Sequence, residues 1–344
     1  MRTNAGMQRK VLVRGLLRSR WLVLGASALI ACENQPTSMG SEETGGSTES
    51  IMDFDLTSEG AYKAQRAQVG GVHRLATLSL RESSKASFSA SVGRVDNSPF
   101  DLTYFGGKVI KSATSYNVYV NCPQGPAVCW GTGTLTPATF LRDLNLSDYI
   151  NIVREYTGSD AKLKFPVEGL RTRATFTRPT RATMQEIFHI LSDAVTRTGA
   201  SGYGAIYHVF LPKGTEMCIT QGNCYSPTDP ESWTFCAFHG SVNFAPAQHV
   251  LFTVEPYQAV PGCQTPGQTP HGVIDATAST LAHELFETIT DPDLDGWSNG
   301  LFGFEISDMC SFFGSNQVLN GNQYFIQSEY SNKLHLCTSQ VPAV

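Results

Sequence analysis

Eight of the nine cysteines lie in the last two thirds of the chain, and they constrain its fold more than any other residue type. They are Cys122, Cys129, Cys218, Cys224, Cys236, Cys263, Cys310 and Cys337. An even number of cysteines in an exported chain indicates disulfides. Eight allow about 105 pairings; short loops favour Cys122–Cys129 and Cys218–Cys224, which leaves Cys236–Cys263 and Cys310–Cys337. A cysteine-rich metal site is the alternative, but the sequence contains no Cys-x-x-Cys spacing.

The N-terminus is predicted to be an export signal. Residues 1–31 contain six basic residues and no acidic ones, and an apolar run of 11 residues begins at Trp21. This run is too short to cross a bilayer as a helix, which takes about 20 residues, but it has the length of a signal-peptide core. It ends in Leu29-Ile30-Ala31-Cys32, which resembles the lipobox of bacterial lipoproteins. An ordinary signal peptide with an incidental cysteine is the alternative.

The lipobox resemblance implies that residues 1–31 are a cleaved signal peptide and that Cys32 carries lipid at the mature N-terminus. Glu33 is not the Asp that favours inner-membrane retention in enteric bacteria. We therefore expect an exported protein, anchored through lipid to the outer membrane or the cell surface. Residues 32–65 are polar and acidic and are predicted to form a flexible tether, because they cannot bury enough apolar surface to fold. Residues 66–344 are predicted to be one folded domain.

The charge distribution argues against nucleic acid as a partner. The formal net charge is −5, from 25 basic and 30 acidic residues. Removing the six basic residues of the signal leaves 19 basic against 30 acidic ones, a net charge of −11. A phosphate-binding surface needs clustered cations, so we expect no nucleic-acid binding.

Hydrophobic patterning predicts an α+β domain in which helices and a mixed sheet share one core. Strands are predicted at 115–120, 205–211, 234–238 and 249–254, with a weaker hairpin over 68–100. Helices are predicted from Thr136, over 180–198 and over 275–290. The part after the third helix is predicted to consist of short strands and turns.

The third predicted helix carries the most specific chemical pattern. His283 and Glu287 are four residues apart and share a helix face, with Glu284 beside His283. This spacing is that of His-Glu-x-x-His metallohydrolases, with Glu at the second ligand position. Zinc accepts imidazole nitrogen and carboxylate oxygen at about 2.0–2.2 Å. Glu284 would then be the general base toward the attacking water.

The position of these acids on the helix favours a bound cation. Glu284, Glu287 and Asp291 lie at the C-terminal end, where the helix dipole makes each exposed carboxylate unfavourable by roughly 0.3–1 kcal/mol. No Lys or Arg occurs between residues 214 and 332 to offset this charge. A divalent cation would offset it, and a solvated acidic helix face is the alternative.

The third ligand and the identity of the metal remain open in the sequence. Asp291, Glu305 and Asp308 are the candidates for the third ligand. The run Asp291-x-Asp293-x-Asp295-Gly296 also opens like a calcium loop, but an EF-hand would need Glu where this chain has Phe302. A different calcium loop, closed by Glu305 or Asp308, is the alternative to zinc.

Several motifs together resemble bacterial and fungal members of the phosphate-induced (exordium-like) protein family. The closest agreement is in Ala282–Pro292, in Trp297 and in Glu305-Ile-Ser-Asp-Met-Cys310. Other stretches agree as well: Tyr104–Ile110, Asn117–Val120, Phe235–Gly240, Gln327, Ser331-Asn332 and Cys337. The resemblance covers about residues 100–340. It implies an exported protein with a zincin-like fold and a loop-rich, disulfide-bonded C-terminal part.

The resemblance matches six polar positions to the family pattern: His283, Glu284, Glu287, Asp291, Glu305 and Asp308. Plant relatives in this family are cell-wall growth proteins whose helix lacks the His-Glu pair, so this fold does not require the chemistry. The leading prediction is an exported zinc peptidase acting on a peptide or cell-wall substrate. The alternative is a non-catalytic surface protein whose carboxylates hold a structural cation such as calcium.

The histidines outside this helix are expected to be structural residues. His239 follows a predicted strand and could contact substrate, but a hydrogen-bonded structural role is favoured over that contact. His208 and His249 lie in predicted strands and are expected to pack against their neighbours.

Overall fold

The computed structural model describes residues 100–342 except for 131–132, 166–168, 177–179, 230–232, 245–247, 265–268, 301–302 and 312. The predicted signal peptide, the tether and residues 68–99 of the predicted hairpin lie outside these described residues. The described residues belong to one compact unit, Asp53–Val344. Among them, no helix combines the length and apolar character needed to span a membrane.

Short strands and five α-helices make up the described secondary structure. The strands are β1 (Thr103–Tyr104), β2 (Ser112–Val120), β3 (Lys162–Lys164), β4 (Leu170–Thr172), β5 (Arg181–Thr183), β6 (Ala205–Phe210), β7 (Glu216–Thr220), β8 (Asn223–Tyr225), β9 (Phe238–Asn243), β10 (His249–Glu255), β11 (Trp297–Ser298), β12 (Gly314–Leu319), β13 (Asn322–Gln327), β14 (Glu329–Ser331) and β15 (Leu336–Thr338). The helices are α1 (Pro126–Cys129), α2 (Pro137–Asn145), α3 (Arg154–Thr157), α4 (Met184–Thr198) and α5 (Val273–Thr290). Single 3-10 turns occur at Asp148–Val153, Gly202–Gly204, Pro261–Cys263 and Asp308–Cys310.

A mixed β-sheet organises the molecule. Its order is β3-β2-β6-β10-β9, and β4 also pairs with β2. The strands β2, β6 and β10 are parallel to one another, and β9 closes the edge antiparallel to β10. The register of that last pair sets His239 opposite Thr253. The predicted mixed sheet is therefore confirmed.

Alternating side chains of this sheet enter two separate apolar cores. On β6, Ile206 and Phe210 pack with α2 and α5, whereas Tyr207 and Val209 pack with α4. Successive side chains of a strand point to opposite faces, so a sheet with apolar residues at both parities must be covered on both sides. The architecture is mixed α/β, with helices on both faces of the sheet.

The start of α4 differs from the predicted helix over 180–198. Residues Arg181–Thr183 pair in parallel with β7, and the helix begins at Met184. Thr183 caps it: its hydroxyl accepts a hydrogen bond from Glu186 N, and Glu186 accepts one from Thr183 N. This reciprocal capping box fixes the boundary, and Gly199 ends the helix in the left-handed conformation at φ 66°.

The helix α5 is buried on every side. All residues from Ile274 to Thr290 are buried, because α5 lies between the sheet and the β12–β13 hairpin. Asp275 in its first turn accepts hydrogen bonds from His271 N (2.6 Å) and Phe325 N (3.0 Å). The hairpin itself turns through Asn320-Gly321, which both have positive φ, the pairing that suits a two-residue loop.

The four disulfide pairs favoured by spacing are confirmed. They are Cys122–Cys129, Cys218–Cys224, Cys236–Cys263 and Cys310–Cys337. The last one crosslinks the Asp308–Cys310 turn to β15.

The predicted strand over 234–238 is wrong, and the strand begins only at its last residue. Ladder pairing with β10 starts at Phe238 and continues to Asn243. The residues before it, Phe235 and Cys236, are buried in the apolar core instead, and the Cys236–Cys263 disulfide holds them there. The aromatic residues of 234–238 therefore indicate packing in the core and not pairing in a strand.

Candidate metal centre

The buried helix α5 presents His283 and Glu287 to the turn that follows β11. His283 Nε2 lies 3.0 Å from Glu287 Oε1 and 3.6 Å from Asp308 Oδ1. The backbone N–H of Asp308 donates to Glu287 Oε1 at 3.1 Å, which fixes the turn against the helix. His283 and Glu287 are fully buried, and the Asp308 side chain is 10% exposed. These three residues form one group of potential metal ligands.

A second group lies on the other side of Glu287 and contains a histidine that the sequence did not assign to the site. His239 Nδ1 lies 3.3 Å from Glu284 Oε2 and 3.4 Å from Glu287 Oε2. All three side chains are fully buried. His239 is the second residue of β9, and strand alternation directs it toward α5. His239 has the hydrogen-bond partners expected of a structural histidine, Glu284 Oε2 and the carbonyl oxygen of Asp291, and it also belongs to a group of potential metal ligands.

Each histidine of these two groups has a polar partner on its other ring nitrogen. His283 Nδ1 lies 3.3 Å from Gln327 Oε1, and His239 Nε2 lies 3.4 Å from the carbonyl oxygen of Asp291. His239 Nε2 is also 3.6 Å from Glu305 Oε1. Metal-binding histidines commonly have such an outer partner, which orients the ring.

Of the three candidate third ligands, the structure brings Asp308 to His283 and places the other two elsewhere. Glu305 is next to His239, on the side away from Glu284. Asp291 ends α5, and its Oδ1 accepts a hydrogen bond from Gly296 N at 2.6 Å. That bond closes the turn after the helix, which gives the Asp291 carboxylate a local structural partner.

The calcium loop suggested by the spacing of Asp291, Asp293 and Asp295 does not assemble. Asp293 accepts hydrogen bonds from Ser241 at 2.7 Å and from Tyr203 at 2.5 Å, and it lies 3.0 Å from His249. Asp291 is held by the backbone instead, and Asp295 is exposed. The three carboxylates therefore form no common cluster.

Burial strongly perturbs the carboxyl groups of the centre. It raises the pKa of Glu284 to about 8 and that of Asp308 to about 6. Burial also opposes ionisation of Glu287, but the two histidines outweigh it and lower the pKa of Glu287 to about 2. Glu287, between both histidines, is thus the carboxylate that stays ionised most readily.

Two further acids extend this buried charge, and no sequence motif marks them. Glu255 ends β10, and burial, followed by the neighbouring Glu284, raises its pKa to about 8. Glu329 accepts a hydrogen bond from the Ser307 hydroxyl at 2.6 Å, and burial raises its pKa well above the ordinary value. Both are fully buried. Only the tertiary structure brings them near α5.

Several carboxylate oxygens of the centre are buried without a hydrogen bond among the described residues. They are Glu284 Oε1, Glu287 Oε2, Glu305 Oε1 and Glu305 Oε2. The ion pairs that the described residues offer to these acids and to Asp308 come from His239 and His283. Buried charged oxygens are usually paired or bound to a metal. The donor set, imidazole nitrogen plus carboxylate oxygen, suits zinc.

One other group of potential ligands does not suit a metal. Glu216 lies near Cys218 and Cys224, but these two cysteines form a disulfide. A disulfide sulfur is not the thiolate that binds metal, so this group carries no metal chemistry.

Comparison of the chain with models of protein families, with curated proteins and with solved structures gives no match. The interpretation of this centre therefore depends on its own geometry and on the motifs of the sequence.

Proposed function

We propose that the protein is an exported, lipid-anchored, metal-dependent hydrolase with a zincin-like fold, and that it cleaves peptide bonds. The observation that supports this most directly is the convergence of His283, Glu287 and Asp308 beside Glu284. His283, Glu287 and Asp308, from one helix and a separate turn, offer ligand atoms within 4.8 Å of one another, and Glu284 shares a second such group with Glu287. A helix bearing such residues, packed on a mixed sheet, is also the arrangement expected of a zincin-like fold.

In this proposal His283, Glu287 and Asp308 hold the ion and Glu284 moves the proton. Zinc held there would supply Lewis acidity toward a substrate carbonyl and would acidify water to a pKa of about 7. Glu284 is on the same helix, and its Oε1 has no hydrogen bond within the described structure. A divalent cation nearby favours the ionised form of a carboxyl group whose pKa burial has raised. Glu284 would therefore accept a proton near neutral pH.

The decisive experiment combines elemental analysis with a peptidase assay. We expect purified protein to contain zinc and Glu284→Gln to lower kcat at least about 100-fold, the usual contribution of a general base, with the ion at His283 retained. His283→Ala should lose that ion together with the activity. Glu216→Gln is the matched control. Glu216 forms an ion pair with Arg181, far in sequence from α5, so this variant should leave kcat unchanged. If Glu284→Gln hydrolyses peptides with the wild-type kcat, this mechanism is excluded.

The lipid anchor is tested separately in a bacterial host. Cys32→Ser should shift the protein from the membrane fraction to the soluble fraction, because lipid attachment needs the Cys32 thiol. If the variant stays in the membrane fraction, Cys32 is not the anchor. This test does not depend on whether the metal centre is catalytic.

A second candidate function is favoured by the depth of the centre. The histidines and glutamates of both ligand groups are fully buried, and the surface cavities of about 500 and 510 Å³ are lined by other residues. A structural cation, calcium included, in a non-catalytic surface protein needs no access for substrate. Bound calcium, no hydrolysis and a lower melting temperature on chelation would support this function instead.

A further inference from the structure

Glu287 directs its two carboxylate oxygens to different histidines. Oε1 lies 3.0 Å from His283 Nε2, and Oε2 lies 3.4 Å from His239 Nδ1. Each histidine has one additional carboxylate near the same ring nitrogen, Asp308 at His283 Nε2 and Glu284 at His239 Nδ1. Two groups of three ligands therefore share Glu287 and no other residue.

The distances within each group are those found around a single ion. Ligands bound tetrahedrally at about 2.0–2.2 Å lie roughly 3.3–3.6 Å from one another. The imidazole-to-carboxylate distances are 3.0 and 3.6 Å in the first group and 3.3 and 3.4 Å in the second. A carboxylate that serves two ions by separate oxygens is well suited to the separation of about 3.5–4 Å found in two-metal sites.

From this arrangement we infer that the protein binds two divalent cations, bridged by Glu287. His283 and Asp308 complete one site, and His239 and Glu284 complete the other. The inference rests on the proposed metal centre and deepens it, because the hydrolase proposal alone requires only the first ion. Bound through Oε2, Glu284 keeps Oε1 able to accept a proton.

An unsatisfied oxygen supports a second ion independently of these distances. Glu287 Oε2, which faces the second site, is fully buried and has no hydrogen bond within the described residues. Unsatisfied buried charge of this kind is strongly unfavourable.

The outer partner of His239 is compatible with a metal ligand. His239 Nε2 lies 3.4 Å from the carbonyl oxygen of Asp291, an acceptor that serves the neutral ring and the imidazolium alike. In the neutral ring, donation from Nε2–H to that oxygen leaves the lone pair of Nδ1 directed at Glu284 and Glu287, as binding of a cation requires.

Metal stoichiometry provides the test. The full mature chain, stripped with a chelator, is titrated with Zn²⁺ and then analysed for bound metal. We expect two ions per chain in the wild type, one in His239→Ala and one in His283→Ala. His249→Ala is the matched control, because this histidine belongs to neither ligand group, and it should retain two. One ion per chain in the wild type, or two in His239→Ala, overturns the inference.

A spectroscopic readout on the wild type avoids dependence on variants that fold poorly. Two Mn²⁺ ions bridged by a carboxylate are magnetically coupled, so we expect a coupled EPR signal at two equivalents of Mn²⁺. An uncoupled signal at that loading would overturn the bridged arrangement. One ion with hydrolysis leaves the proposed function standing and removes this inference. Two bound ions without hydrolysis would support this inference and remove the proposed hydrolase function.

Discussion

Gln327 lies against the imidazole of His283 and orients it toward the carboxylates. Its Nε2 donates to the carbonyl oxygen of Ser307 at 2.6 Å and also lies 3.1 Å from His283 Nδ1, and its Oε1 lies 3.3 Å from the same ring nitrogen. In the tautomer with the proton on Nδ1, that N–H donates to Oε1 and the lone pair of Nε2 is directed at Glu287 and Asp308. Gln327 is thus a positioning residue that connects β13 to the proposed site.

Replacing Gln327 by Ala should weaken metal binding without removing a ligand. Loss of the outer partner of a metal-binding histidine typically lowers affinity about 10–100-fold, and we expect an increase of that size in the zinc dissociation constant, measured against a competing chelator. Gln323→Ala is the control, since this residue is on the same strand but exposed. Equal affinities for the two variants would mean that Gln327 does not position His283.

His208 belongs to a buried chain of hydrogen bonds that defines its tautomer. Thr253 Oγ1 donates to Glu255 Oε1 at 2.8 Å, so it accepts from His208 Nδ1 at 2.9 Å. His208 Nε2 then accepts from the Ser115 hydroxyl at 2.6 Å. Both ring nitrogens are satisfied in the neutral form. Burial lowers the pKa of His208 to about 3.

These hydrogen bonds predict that His208 makes the folded protein less stable in mild acid. The unfolded chain binds this proton below pH about 6.5, whereas the folded protein does not until about pH 3. Stability is therefore lost as pH falls below about 6.5, by roughly 2 kcal/mol at pH 5 from this group alone. In His208→Gln, the change in unfolding free energy between pH 7 and pH 5, measured by urea titration, should be smaller by that amount. An unchanged difference would contradict this assignment, and His249→Gln serves as the control.

The sequence predicts the site least well where a residue reaches it from a distant part of the chain. His283, Glu284 and Glu287 could be predicted because helical spacing alone brings them together. His239 could not, since its role depends on β9 lying beside α5. Glu255 and Glu329 carry no motif either, and their position near the centre is a property of the tertiary structure.

At the scale of elements, Asp143 connects α2 to the C-terminal hairpin. Its carboxylate accepts hydrogen bonds from Asn320 (3.0 Å), Asn322 (2.6 Å) and the Tyr324 hydroxyl (2.8 Å). Burial alone would raise the pKa of Asp143, but these three donors and then Arg142 outweigh it and lower the pKa below 3.8. One carboxylate thus holds the turn and the second strand of the hairpin.

Loss of the Asp143 carboxylate should destabilise the folded protein by about 2–4 kcal/mol, because the buried Tyr324 hydroxyl and the more exposed Asn320 and Asn322 amides lose a charged acceptor. The wild-type contribution is present above the ordinary pKa of 3.8 and is lost as pH falls through the lower folded-state value. Urea unfolding of Asp143→Ala at pH 7 measures it. Asp148→Ala removes an exposed carboxylate and should change the free energy of unfolding by less than about 0.5 kcal/mol. Similar losses in both variants would refute the role of Asp143.

Elements with a strong local signal were predictable, and elements defined by distant partners were not. The helix opened by Thr136-Pro137 and the strand His249–Glu255 follow from capping and apolar content. The start of α4 was missed although Thr183 and Glu186 have capping-box spacing, because Arg181–Thr183 pairs with β7. The strand β9 starts late because a disulfide holds Cys236 in the core.

At the scale of the whole molecule, the proposed centre joins segments far apart in the sequence. Its ligands come from β9, from α5 and from the turn at Asp308–Cys310, which the Cys310–Cys337 disulfide ties to β15. Short spacing indicated the Cys122–Cys129 and Cys218–Cys224 disulfides, and the other two pairs followed only as the remaining cysteines. That the last of them also fixes a metal-ligand turn could not be inferred, since that depends on where the turn meets α5.

Removing the metal should therefore lower the stability of the whole domain rather than loosen one loop. A ligand present at about 1,000 times its dissociation constant stabilises the folded state by roughly 4 kcal/mol, which corresponds to about 10 °C in melting temperature for a chain of this size. Chelation also leaves the buried carboxylates uncompensated. We expect calorimetry with excess chelator to show a decrease of at least that size in the wild type. In the double variant His239→Ala/His283→Ala, chelator should have no effect, because both proposed sites are gone. A wild-type melting temperature that chelator does not change would mean that the histidines alone neutralise these acids.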